Sequence, residues 1–161
     1  MTTILKIILI GIGGTFAVDI WTFILSLFKI KSLDYRYVGR WIAYFPKGKI
    51  YHNTIMMTAP VRGELLMGWS AHYLIGISFA FLLILLFGKE WLDEPLILPA
   101  LIVGIITVIS PLFIMQPAFG FGIASSKLSD PNLRRLKSML THVVYGFGLY
   151  LSAVVLQQLW S

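Results

Sequence analysis

The chain alternates long apolar runs with short polar connections. The runs cover residues 7–28, 67–87, 96–115 and 139–160, and each reaches the roughly 20 residues that a helix needs to cross a bilayer. A spanning segment must satisfy its own backbone hydrogen bonds in lipid, and no ten-residue alternation of a barrel strand is present, so the pattern predicts four helices. The turn "GKEWLDEP" forces the second and third into an antiparallel hairpin. Pro99 falls in the first turn of its helix, where a missing N–H is harmless, whereas Pro111 is interior and predicts a kink beside Ser110. Gly11, Gly13 and Gly14 allow another helix to come close to the first.

The connection at 29–66 carries a pattern of its own. Val38, Trp41, Ile42 and Phe45 follow the i, i+3, i+4, i+7 spacing of one helix face, while Arg36, Arg40 and Lys47 fall elsewhere on the turn. "YRYVGRWIAYFP" therefore predicts an amphipathic helix lying in the membrane interface and ending before Pro46. Its expected partner is an anionic lipid surface, met by Arg36, Arg40, Trp41, Phe45, Lys47 and Lys49. The resulting fold class is all-α and polytopic: a single domain over 1–161, with four transmembrane helices in a bundle plus one interfacial helix.

Composition agrees with a lipid environment. The hydrophobic fraction is 58% and the charged fraction only 12%, with a mean hydropathy of +0.84, and a water-soluble domain would not sustain that balance. The net charge of +6 could suggest nucleic acid, but its distribution argues for topology instead. Of the 13 lysines and arginines, seven fall between the first and second runs and four between the third and fourth (Lys127, Arg134, Arg135 and Lys137). By the positive-inside rule the connections 29–66 and 116–138 of this multi-pass chain are cytoplasmic and both termini lie outside. A cleaved leader at "GGTFA" would put seven basic residues on the translocated side, against that rule. With no cysteine in the chain, histidine, carboxylate and backbone carry any chemistry.

The motifs "DIW", "VGRW", "APVRGE", "GWSAHY", "LPALIVG", "IMQPAFGFG" and "LTH" are spread over nearly the whole chain. In length and motif order the sequence resembles the bacterial membrane family called domain of unknown function 2938. The resemblance implies a four-span inner-membrane protein and no particular activity.

Polar residues within and beside the runs are the candidates for function. Asp19 lies nine residues before the end of its run, about 14 Å deep at 1.5 Å per residue. Intramembrane carboxylates usually face a bundle interior and do work there, unless they merely fix packing through a hydrogen bond, here to Trp21 or a histidine. "HYLIG" and "HVVYG" place His72 and His142 four residues before a glycine, near the same end of their runs. The glycine shares the histidine's face and admits something large. That object is a neighbouring helix, or a haem or divalent metal held by His72 and His142. Asp19, Glu64, Gln116 and His52 would then form a proton relay or orient the ligands. "QPAFGFGIASS" reads as a re-entry loop able to expose backbone groups. Three functions stay open: a haem- or metal-binding membrane oxidoreductase or other enzyme, a small proton-coupled transporter or exporter, and a non-catalytic accessory subunit. A four-helix transporter would need to form a homodimer to enclose a path.

Overall fold

The computed structural model describes residues 2–159. All regular structure among them is helical. Helix α1 (Thr3–Leu27) starts at Thr2, whose hydroxyl accepts the Leu5 N–H. Helix α2 (Tyr35–Ala43) is capped by the Asp34 carboxylate, which accepts the Arg36 N–H at 3.0 Å. Helix α3 (Glu64–Phe87) runs between Gly63 and Gly88, both at positive φ. Helix α4 (Ile97–Ala118) and helix α5 (Pro131–Leu159) complete the set. The interior Pro111 has no N–H to offer, and α4 accommodates it by widening into a π turn over Ser110–Met115.

α1, α3, α4 and α5 are long and apolar enough to cross a membrane. They exceed the apolar runs: α3 reaches back past Leu65 and Leu66 to Glu64, and α5 reaches back through polar residues to Pro131. The expected end of the fourth span at Trp160 lies outside the described residues, as do the terminal residues Met1 and Ser161. Only 22–33% of each helix's most apolar stretch is buried within the chain. Water would penalise so much outward apolar surface and lipid would not, so the four helices are compatible with a multi-pass membrane protein.

The chain packs as two compact units. The first comprises residues 1–32, 73–107 and 140–161, as far as these are described. Its core gathers Ile7, Ile10 and Val18 of α1, Ala80 and Leu83 of α3, Ala100 and Val103 of α4, and Leu149 and Ala153 of α5. α4 and α5 cross backbone to backbone at Gly104 and Gly146. A Cβ on Gly104 would lie 2.9 Å from the Gly146 backbone, and one on Gly146 would lie 2.6 Å from the Ala100 carbonyl oxygen. The Tyr145 hydroxyl donates to the Gly76 carbonyl at 2.5 Å and ties α5 to α3. Both glycines that follow a histidine by four residues are thus points where one helix meets another.

The second unit comprises 33–72 and 108–139. Here the connection folds back on itself. Val38 of α2 is buried against Ile55, Phe119 and Phe121, with Trp41 and Ile42 packed around them. Val38, Trp41 and Ile42 of the face expected to meet lipid are therefore packed against the chain's own residues, while Phe45 stays exposed.

The helix crossing at Gly146 yields a direct check. Gly146→Leu should lower thermal stability by about 3 kcal/mol, the upper end of the overpacking range, because the obstruction is backbone. The exposed neighbour change Phe147→Leu should stay within about 0.5 kcal/mol. Thermal melts of the two variants in mild detergent compare them; equal melts would contradict the crossing.

Candidate functional site

Within the first unit the mid-helix carboxylate has a specific partner. The Tyr73 hydroxyl on α3 donates to Asp19 Oδ2 on α1 at 2.7 Å. The Thr22 hydroxyl one turn on is committed to the Asp19 backbone carbonyl at 3.1 Å and leaves the carboxylate to other donors. Trp21 does not bond Asp19: its indole N–H is buried with no hydrogen-bond partner among the described residues. Tyr73 is a residue that sequence reasoning missed, although it stands beside His72 in "GWSAHY".

His142 is oriented by Thr107. That hydroxyl donates to the Gly104 carbonyl at 2.7 Å, which leaves its oxygen to accept from His142 Nδ1 at 3.0 Å. The imidazole proton is thereby assigned to Nδ1, and the lone pair falls on Nε2. His72 belongs to the second unit and makes a different contact. Its Nε2 lies 3.0 Å from the Tyr35 hydroxyl, with the two rings 4.4 Å apart.

The strongest interaction in the second unit is an ion pair. Arg40 Nε and Nη2 donate to Glu64 Oε2 and Oε1, both at 2.8 Å, in the bidentate geometry suited to a guanidinium. Nη1 continues to the carbonyls of Ile55 and Thr58 at 3.1 and 2.9 Å, and Glu64 Oε2 also accepts the Val61 N–H. The helices come close enough because Gly39 and Gly68 have no side chains. A Cβ on Gly39 would collide with the Glu64 carbonyl, and one on Gly68 with the Tyr35 carbonyl. Arg40 is only 6% exposed, so it is not the lipid contact expected of it: the close approach of α2 to α3 turns its side chain inward. Glu64, a relay candidate in the sequence, is held by this guanidinium. The pair raises the pKa of Arg40 above its ordinary value.

His52 joins the same network. It is 4% exposed, and its Nδ1 lies 2.9 Å from the Thr58 hydroxyl, which itself donates to the Thr54 carbonyl at 3.2 Å. Nδ1 is therefore the donor, and the buried Nε2 has no hydrogen-bond partner among the described residues. Burial, with Lys49 contributing, pushes the His52 pKa below its ordinary value. Gln116 accepts from the buried Ser125 hydroxyl at 2.9 Å. Arg36 is exposed and paired with Asp34 at 2.7 Å, and its hydrogen bond holds that carboxyl below the usual range. Trp41 donates its indole N–H to the Ile50 carbonyl at 2.7 Å. Lys47 and Lys49 lie 4.6 and 5.7 Å from the Tyr44 ring, and Phe45 is exposed. Among the described residues no three of His, Cys, Asp or Glu gather in a group suited to a metal ion.

The model of the family described as "Protein of unknown function (DUF2938)" matches residues 8–156, and the chain belongs to that family. No match was found among curated proteins or solved structures.

Removing one member of the buried ion pair should be far worse than removing both. Arg40→Met or Glu64→Leu alone should cost about 3–5 kcal/mol, since each strands a buried charge. The double variant should lose clearly less than the sum of the two. Thermal melts around this cycle measure it, and strict additivity would show that the pair carries no coupling.

His52 sets a pH dependence of definite sign. Its folded pKa lies below the unfolded value of 6.5, so the unfolded chain binds the extra proton first. Stability is complete above that value and falls as pH drops below it. Melts across this interval should slope downward for the wild type and flatten in His52→Asn; a slope retained in the variant would assign the effect elsewhere.

Proposed function

We propose that the protein is a small proton-coupled transporter or exporter of a bacterial inner membrane, with Asp19 as its proton-exchanging group. The observation that carries this reading is the 2.7 Å hydrogen bond from Tyr73 to the Asp19 carboxylate. Ionisable residues inside apolar helices are expensive and tend to be kept for ion or proton pathways. Asp19 lies eight residues from the end of α1 at Leu27, about 12 Å along the helix. In the proposed topology both termini lie outside, and the connections 29–66 and 116–138 are cytoplasmic, as the charge distribution favours. Asp19 takes up a proton on one side, releases it on the other, and exchanges it against substrate. Tyr73 stabilises the charged carboxylate between these events. Two copies of the chain enclose the path.

A second reading, a membrane oxidoreductase or other enzyme holding haem or a divalent metal, draws support from His142. A histidine whose Nδ1–H is fixed by a hydrogen bond presents Nε2 as a ligand atom, which is how ligating imidazoles are commonly oriented. Asp19 would supply the proton route.

One preparation separates the two. Purified protein in liposomes containing a pH-sensitive dye should move protons when organic cations, amino acids or organic anions are added as separate classes. Asp19→Asn should reduce that movement to the level of protein-free liposomes. Tyr73→Phe should slow it about tenfold, the worth of one hydrogen bond to a charged group. No proton movement with any class in the wild type would overturn the transporter. A Soret band or stoichiometric metal in the same sample, lost in His142→Ala, would establish the second reading in its place.

A further inference from the structure

Apart from Phe45, the face of α2 that sequence periodicity assigns to lipid is packed against Ile55, Phe119 and Phe121. The connection nevertheless presents large apolar side chains elsewhere. Tyr51 is 71% and Met57 85% exposed, and Phe45, Ile50 and Met56 are also exposed. Five such residues within thirteen would be an aggregation hazard in water. They do not belong to a loose loop. The Trp41 indole holds the Ile50 carbonyl, Arg40 holds the carbonyls of Ile55 and Thr58, and His52 and Ile55 are buried as anchors between the exposed positions.

The position of this segment follows from its backbone. The N–H groups of His52 and Ile55 donate to the carbonyls of Ala118 and Phe119 at 2.8 and 2.9 Å. Ala118 is the last residue of the apolar helix α4, so residues 50–57 sit level with the end of a spanning helix, where the bilayer interface begins. Lys47, Lys49 and Arg62 flank this stretch, all exposed, and none of them forms an ion pair among the described residues. The only carboxylate between α1 and Glu64 is Asp34, which is engaged by Arg36.

We propose that residues 45–57 form a preformed membrane-surface foot. Phe45, Ile50, Tyr51, Met56 and Met57 enter the headgroup region, and Lys47, Lys49 and Arg62 meet anionic lipid. Apolar side chains inserted at the interface beside lysines are the chemistry by which peripheral segments recognise anionic bilayers. The proposal rests on the reading that α4 spans the bilayer and is independent of what Asp19 does.

The absence of cysteine from the sequence makes single-site labelling direct. A fluorophore on Met57→Cys and, separately, on Ile50→Cys is read in liposomes carrying nitroxide at the headgroup level, with either phosphatidylglycerol-containing or purely phosphatidylcholine bilayers. Phe23→Cys, at an outward position of α1, is the control for spanning. Quenching at 57 and 50 should be stronger in the anionic bilayer, and Lys47→Gln should reduce the bound-over-free population there about fivefold, the effect of one basic residue at an anionic surface. Quenching no greater than that of free dye in buffer, with Phe23→Cys quenched, would overturn the foot and leave the spans intact. If Phe23→Cys is not quenched either, the spanning reading fails as well. Equal quenching in both bilayers would overturn the assignment to anionic lipid. Energy transfer between labels at 57 on different copies, in place of lipid quenching, would assign the surface to a second copy.

Discussion

A polar group among apolar helices must find a partner or cost several kcal/mol, and this requirement organises the molecule more than any shape-specific packing. Hydroxyls inside the helices are turned back onto their own backbone: Thr15 to Gly11, Ser78 to Leu74, Ser152 to Gly148. Groups that cannot be satisfied locally reach across. Asp19 is met by Tyr73, His142 by Thr107, and Arg40 by Glu64. Each cross-link fixes the rotation of one helix against another, because a slip of one residue would carry the polar atom about 100° away from its partner. Polar residues that look like misfits in the sequence thereby select a single packing.

Arg40 shows how far one such group reaches. Its guanidinium binds α3 through Glu64 and the return segment through two carbonyls, so it is the junction of α2, α3 and residues 55–58. Once Arg40 points inward, the residues beside it on α2 follow. Val38 packs on Ile55 and Phe119, and Trp41 packs on the edge of Phe119 at 5.7 Å. A helix whose periodicity resembles that of an interfacial helix also covers a small protein core. Periodicity identifies an apolar face; what covers that face depends on residues far along the chain.

This distinction separates what was legible in the sequence from what was not. The four long apolar helices were legible because length and apolarity are local properties of the sequence. Their ends were not, since Glu64 and the segment from Pro131 continue a helix through polar residues that hydropathy discards. Pro111 was expected to disturb its helix and does so as a π turn. Helix crossing at Gly76 and Gly146 was one of two open readings, and a neighbouring helix meets both. Tyr73 escaped notice because its partner is 54 residues away and tyrosine is common in such helices. Arg40 was misread because arginine is usually exposed. The clue was the pairing of "VGR" with "GELLMG", in which Gly39 and Gly68 clear the space that a buried guanidinium needs.

The charge asymmetry that predicts topology also has a structural side. Arg36 is engaged by Asp34 and Arg40 by Glu64, while Arg134 and Arg135 donate to the carbonyls of Ser129 and Ala124. The last of these supports an unfavourable turn. Ala124 and Ser125 both adopt positive φ, and such a conformation costs about 1–2 kcal/mol for each residue with a side chain. Arg135 holds the Ala124 carbonyl, and the buried Ser125 hydroxyl is held by Gln116. The turn brings the chain from the end of α4 toward α5 while leaving Phe119 and Phe121 in the core beneath α2. Basic residues in these connections therefore do two jobs. Some enter the charge asymmetry from which an orientation is read, and others pin the backbone that builds the core, so a count of charges does not reveal the architecture behind it.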